Sequence, residues 1–273
     1  MLSLPRLFTP PSARILRRHT LSLTIGGGFV LCWSSGFVGS RLAVDIDSPV
    51  IGLYAWRFAL ATLVAWALVV WRRARPGHRP SRRQVVHEML VGGLTVGVYL
   101  LTMLLAIAEG VSASVAALIG ALQPLAAALL ATQLLKERCC AAQWAGMGLA
   151  TLGAGAMVMG DMQGVGGAPA WAYALPLVAV LAVSLGSVLP PPGRREHPQL
   201  APEPLALETR LALQLSAATG LFLITALVLE PGWPAPPPAT IDAWLAVTWL
   251  VVLATFGGYG FFVASLTRFG VTP

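Results

Sequence analysis

Residues 92–113 read GGLTVGVYLLTMLLAIAEGVSA, and residues 252–273 read VLATFGGYGFFVASLTRFGVTP. The first stretch meets no charge before Glu109. An uncharged run of about 20 residues crosses ~30 Å of hydrocarbon as a helix, and in lipid each backbone amide must find its partner inside that helix. Laid one over the other, the two stretches match Gly97 with Gly257, Tyr99 with Tyr259 and Gly110 with Gly270, and EGVSA at 109–113 with FGVTP at 269–273. They read as two copies of one transmembrane helix.

The rest of the chain has the same character. Of 273 residues, 56% are apolar and 11% charged, against about 25% charged in a soluble domain; a soluble core could not hide so much apolar surface. Hydropathy predicts eight spans near 21–43, 49–71, 85–108, 112–134, 140–160, 171–190, 208–229 and 243–266. Punctuated connections join them: the acidic turn from Asp45 to Pro49, the Pro/Gly/Arg loop 72–83, the Gly-rich 160–169 and the Pro-rich 231–238. The expected fold class is an all-α integral membrane protein built as an inverted-repeat helical bundle. The run from Leu21 to Ala43 is too long for the roughly 7–15-residue apolar region of a signal peptide, so it reads as a retained first helix.

Charge sets the expected orientation, because Lys and Arg stay on the cytoplasmic side. With eight spans, all 18 basic residues except Arg41 and Arg57 fall on one face: the amino-terminal Arg6, Arg14, Arg17 and Arg18, the six arginines of loop 72–83, Lys136 and Arg138, and Arg194, Arg195, Arg210 and Arg268. The other face carries Asp45, Asp47, Glu109, Asp161, Glu230 and Asp242. The formal charge of +7 therefore points to membrane topology and not to nucleic acid, since the basic residues lie in short loops without interleaved aromatics. Cys32 sits inside the first span, and Cys139 and Cys140 are adjacent at a helix end. An odd count with an adjacent pair gives no disulfide framework and no metal-ligand spacing; no metal or cofactor is expected.

Five spans precede the repeat, an odd number, so matching helices run in opposite directions. The domains expected are a basic cytoplasmic segment 1–20, a first repeat of five helices over 21–160 and an incomplete second repeat of three helices over 171–273. Since Pro273 matches Ala113, counterparts of 114–160 are missing; a ten-span parent protein, of which this chain is a truncated form, is the expectation. Inverted repeats are a carrier architecture, with the solute site near the bilayer midplane between the halves.

Five motifs carry a family resemblance: CWSSGFVGSRLA in the first helix, WRFALA in the second, GVSASVAALIGALQPLAAALLA in the fourth, KER after it, and QWAGMGLATLGAGAMV in the fifth. In that order and spacing the chain resembles the drug/metabolite transporter superfamily, EamA type, from about residue 24 onward. The resemblance implies ten helices in two inverted five-helix repeats, the first four of each lining a central cavity and the fifth packing peripherally. It also implies export of small metabolites or amino acids, or broad efflux. Glu137 of KER matches a position that fits a structural cap for the next helix.

Arg57 is the most informative single residue. It lies about 12 Å below the outer boundary, where an Arg costs roughly 2.5–3.5 kcal/mol and so faces a cavity or a partner. A cation for a substrate carboxylate and a folding element tied to helix-end carbonyls are equally good readings. Trp33 and Ser34 lie midway along the first helix beside Cys32, Gly36 and Ser40, a small-residue stripe that packing alone explains; Trp33 is the better cavity wall. Gln123 beside Pro124 places a buried amide at a missing backbone donor, either a cavity-facing break or a plain kink. Tyr99 and Tyr259 occupy matching positions and suit a gate or simple packing. Gly93 with Gly97, and Gly146 with Ala150 and Ala154, read as helix-packing ridges. His87 and Glu88, at the membrane entry of the third helix, are expected to touch water.

No Asp or Glu lies near the centre of a span, which disfavours exchange of cationic drugs for protons through a membrane-embedded acid. The leading expectation is a secondary carrier in the cell inner membrane that exports a neutral, zwitterionic or anionic small molecule by alternating access. Its partners are that solute and the lipid bilayer; no nucleic acid is expected, and homo-oligomerisation stays open. The alternatives are an inert truncated fragment and, remotely, an intramembrane enzyme. The last lacks HExxH, GxSxG and any membrane-depth His, as His19, His78, His87 and His197 all lie in loops or at helix ends.

Overall fold

The computed structural model describes residues 11–46, 49–72, 80–134, 140–163, 167–189, 205–230, 232 and 240–261. Among these the chain is helical throughout, without a strand. The helices are α1 (Pro11–Val44), α2 (Val50–Arg72), α3 (Arg82–Ala108), α4 (Ala113–Gly120 and Gln123–Leu134), α5 (Ala141–Gln163), α6 (Ala170–Val188), α7 (Leu207–Leu229) and α8 (Ile241–Phe261). Seven of them are long and apolar enough to cross a membrane. The eighth expected span, α5, is 23 residues long but is diluted by five glycines, Gln143, Asp161 and Gln163, so its apolar character falls below that of the others. Glu137, Cys139 and most of the arginine-rich loop lie outside the described residues.

Helix starts have local causes. Ser81 accepts from the Gln84 N–H while the Gln84 side chain accepts from the Ser81 N–H, a capping box that opens α3. Ser112 and Thr240 cap α4 and α8 in the simpler way. Gly110, at φ 101°, lets α3 end and turn at once into α4. α2 is capped by a distant carboxylate: Glu230, at the end of α7, accepts from the Ile51 and Gly52 N–H groups, each at 2.7 Å. A negative charge satisfies two orphan donors and the positive end of the helix together. Asp161 plays a related part at α4, accepting from the Ser112 N–H at 3.3 Å and from the Tyr173 hydroxyl at 2.8 Å.

The described chain forms two compact units. One joins the first part of α1, up to Gly36, to α8 from Val252 onward. Here the helices pass antiparallel at glycines: a methyl on Gly28 would meet the Phe261 ring at 2.6 Å, one on Gly257 would meet Cys32 Sγ at 3.0 Å, and one on Gly36 would touch Ala254 at 3.5 Å.

The other unit runs from Phe37 to Val251. Its spine is the antiparallel pair α2 and α7, joined from end to end by Glu230 on Ile51 and Gly52, Phe222 against Phe58, Thr62 to Thr219 at 2.8 Å, Trp66 Nε1 donating to Ser216 Oγ at 3.0 Å, and Arg72 beside Glu208 at 3.7 Å. α3 runs parallel to α7 and is held from the other side by α6. Gly92 and Gly97 of α3 approach Gln214, Ala218 and Leu221, while Gly186 of α6 approaches Leu94 and Thr95. Beyond this clamp, Tyr99, Met103 and Ile107 of α3 bury themselves against Val115 and Ile119 of α4 and Val180 of α6.

Two helices are wound wide, as π-helical turns, at Gly93–Val98 in α3 and Leu250–Gly257 in α8. These turns overlap when Gly97 is set on Gly257, as in the sequence alignment of the two stretches. Such turns widen a helix by one residue and recur at functional positions.

Candidate substrate-facing sites

Arg57 is 3% exposed. Its guanidinium carbon lies 4.9 Å from the Tyr54 ring centroid and 4.8 Å from that of Phe58. The two rings close a buried aromatic cluster with Phe222 of α7, at centroid distances of 5.6 and 4.9 Å, and the Tyr54 hydroxyl shares a 2.6 Å hydrogen bond with Ser40 of α1. Cation–π contacts contribute about 2 kcal/mol when desolvated, comparable to the roughly 2.5–3.5 kcal/mol cost of an Arg at that depth. The aromatic faces thus hold the cation in the helix interior. One residue away, the Trp56 indole N–H is buried with no acceptor among the described residues.

Tyr99 and the break in α4 come together. α4 stops at Gly120 and resumes at Gln123, because Pro124 has no N–H to give to the Gly120 carbonyl and its ring crowds that group. The Tyr99 hydroxyl lies 3.7 Å from the point a Gly120 methyl would occupy, with Met103 and Phe37 on either side. Ser184 of α6, fully buried, donates to the Gln123 carbonyl at 3.3 Å, so a carbonyl at the break is satisfied from a neighbouring helix. Gln123 is half-buried and Pro124 exposed.

Trp33, Ser34 and Tyr259 belong to the α1–α8 unit. Trp33 is 40% exposed, packs on Phe29 at 5.4 Å between ring centroids, and lies 3.6 Å from the point a methyl on Gly258, next to Tyr259, would occupy. Ser34 is exposed and Tyr259 half-buried. The sequence-predicted residues therefore fall into three groups, around Arg57, around Tyr99 with Gln123, and around Trp33 with Tyr259.

One sequence expectation is overturned. Glu88 does not face water: it is 7% exposed, and both carboxylate oxygens are engaged by α7, from Arg210 Nε at 3.0 Å and Gln214 Nε2 at 2.7 Å. Its position at a span's entry gave the wrong sign because tertiary packing covers that entry. Tyr54, Phe58, Phe222, Ser40 and Ser184 were also missed. The one available signal was Tyr54, a turn before Arg57 on the same helix face.

Membrane-length helices with buried polar groups between them define a polytopic helical membrane protein. The family model of the EamA-like transporters matches residues 22–159, from α1 into α5. The chain belongs to the EamA-like transporter family, a group of membrane transporters and not of enzymes, within the drug/metabolite transporter superfamily. No curated protein and no solved structure matches it.

Proposed function

We propose that this chain is a secondary carrier that exports a small organic metabolite carrying a carboxylate, an amino acid being the leading case, by alternating access. The observation that carries the reading is Arg57, enclosed by Tyr54 and Phe58, with the buried indole N–H of Trp56, which has no acceptor among the described residues, next to it in the chain. An ionisable side chain at membrane depth is rare and marks a functional position, and a cation there favours a solute that carries negative charge over one that carries positive charge. The opposite directions of α2 and α7, and the overlapping wide turns of α3 and α8, support inverted halves that rock about a central site. Tyr99, Gln123 and Pro124 are proposed as further wall or gate residues, and Trp33, Ser34 and Tyr259 as separate candidates within their own unit. The distribution of arginines supports a cytoplasmic amino terminus, and the family resemblance supports a location in the cell inner membrane.

The test is efflux from proteoliposomes of the full chain preloaded with a labelled panel of amino acids and organic acids. At least one carboxylate-bearing member should leave faster than from protein-free vesicles, and equal leak across the panel overturns the proposal. For that solute, Arg57→Gln should raise KM about tenfold or more, the size of a lost hydrogen bond to a charged group, while Arg57→Lys retains part of the affinity. A variant that loses folded yield but keeps KM assigns Arg57 to folding instead.

A further inference from the structure

The proposed function makes no use of Glu88, the one described carboxylate inside a span whose two oxygens are both held by another helix. Glu88 lies about as far from the start of α3 as Arg57 lies from the start of α2. Its partners Arg210 and Gln214 are four residues apart and so share one face of α7. Gln214 is buried and Arg210 partly exposed. His87 Nδ1 stands 4.0 Å from a Glu88 oxygen, and its buried Nε2 has no partner among the described residues. One turn past Glu88, Gly92 brings the α3 backbone against Gln214 so closely that a methyl there would overlap the Gln214 Cα. The next residue, Gly93, opens the wide turn Gly93–Val98.

From end to end, then, α3 consists of a segment, 82–92, fastened to α7 by charge and by close backbone approach, followed by a widened turn and a second straight helix, Tyr99–Ala108. Apolar contacts between helices in lipid can slide. A buried carboxylate with two directional donors re-forms in one register and releases as a unit, because a half-broken set leaves a charge unpaired.

We propose that the Glu88–Arg210–Gln214 cluster is an interlock that fixes the first part of α3 to α7, and that its release lets α3 flex at Gly93–Val98. The inference rests on the carrier reading for its purpose, since alternating access requires such a contact to open and close, but its physical content is tested without any solute.

Hydrogen exchange of the full chain in lipid nanodiscs is the measurement. Glu88→Gln removes the charge and keeps the shape; exchange over 82–98 should rise about tenfold or more, the equilibrium weight of one charge-assisted hydrogen bond. Protection of α2 and of residues 218–229 should stay within about twofold. Arg210→Gln should do the same, and the double variant should show less than the product of the two single effects, since the partners are coupled. If Glu88→Gln folds too poorly to measure, Gln214→Leu combined with Arg210→Gln gives the same readout from the α7 side. A uniform rise along the whole chain would mark a static stabilising pair and overturn the interlock, as would unchanged exchange or strict multiplication of the single effects. Efflux is scored separately: local opening without efflux of any panel member defeats the carrier reading and leaves the interlock standing, while the converse defeats the interlock alone.

Discussion

In α3, a methyl group added at Gly92 would overlap the Cα of Gln214 on α7 and lie 2.7 Å from its carbonyl oxygen, and at Gly97 it would sit 3.0 Å from Leu221. In α5 the same addition at Gly146, Gly148, Gly153, Gly155 or Gly160 would meet no heavy atom of the described residues within 4 Å. Both helices are apolar and glycine-rich, and both invite close approach by a neighbour. Among the described residues, of these two helices only α3 receives it, from α7 on one side and α6 on the other. Ala154 is the one member of the α5 ridge that is buried. A stripe of small residues states that a helix can be approached; it does not state that anything approaches. Even within α3 the GxxxG step is half used among the described residues, since a methyl on Gly93 would meet none of them while one on Gly97 would meet α7.

The contrast yields three graded expectations for thermal unfolding of detergent-solubilised or nanodisc-embedded protein. Gly92→Ala should cost most, about 3 kcal/mol, the upper range for overpacking that backbone atoms must relieve. A change of less than about 1 kcal/mol there would remove the claim that α3 and α7 are in backbone contact. Gly186→Ala is intermediate, about 1–2 kcal/mol, because the tightest contact of the new methyl, 2.5 Å, would be with a side-chain atom, Thr95 Cγ2, and the one with Leu94 Cβ is looser at 3.2 Å. Gly146→Ala should be neutral or should stabilise by up to about 1 kcal/mol, the helix-propensity gain of alanine over glycine with no clash to offset it. A clear loss at Gly146 would mean that α5 has a tight neighbour after all.

The helices themselves were legible because the cue is one-dimensional. A charge-poor run of about 20 residues has few alternatives in lipid, and the described ends of seven of the eight spans lie within a few residues of those expected. The break in α4 was legible at Pro124 for the same reason, since a missing N–H is a property of one residue. Arg57 could be singled out, because a charge within an apolar run is visible in the sequence. What surrounds it was not visible: Phe222 is far along the chain, and only the antiparallel register of α2 and α7 puts its ring against Tyr54 and Phe58. Glu88 was misread for the complementary reason. A carboxylate near a helix start reads as solvated, and nothing local shows that Arg210 and Gln214 will cover it.

The acids at the other helix ends make the same point at a smaller scale. Asp161 and Glu230 could be read as the negative face of a sided membrane protein; in the fold they cap the first turns of α4 and α2. Local sequence fixed everything that depends on a chain's own backbone and its solvent: which segments are helices, where they break, and that they prefer lipid. The tertiary structure alone decided which charges are covered and which glycines are touched, because those outcomes depend on pairs of residues brought together from distant helices, and packing range is a few ångströms in space with no regard for distance along the chain.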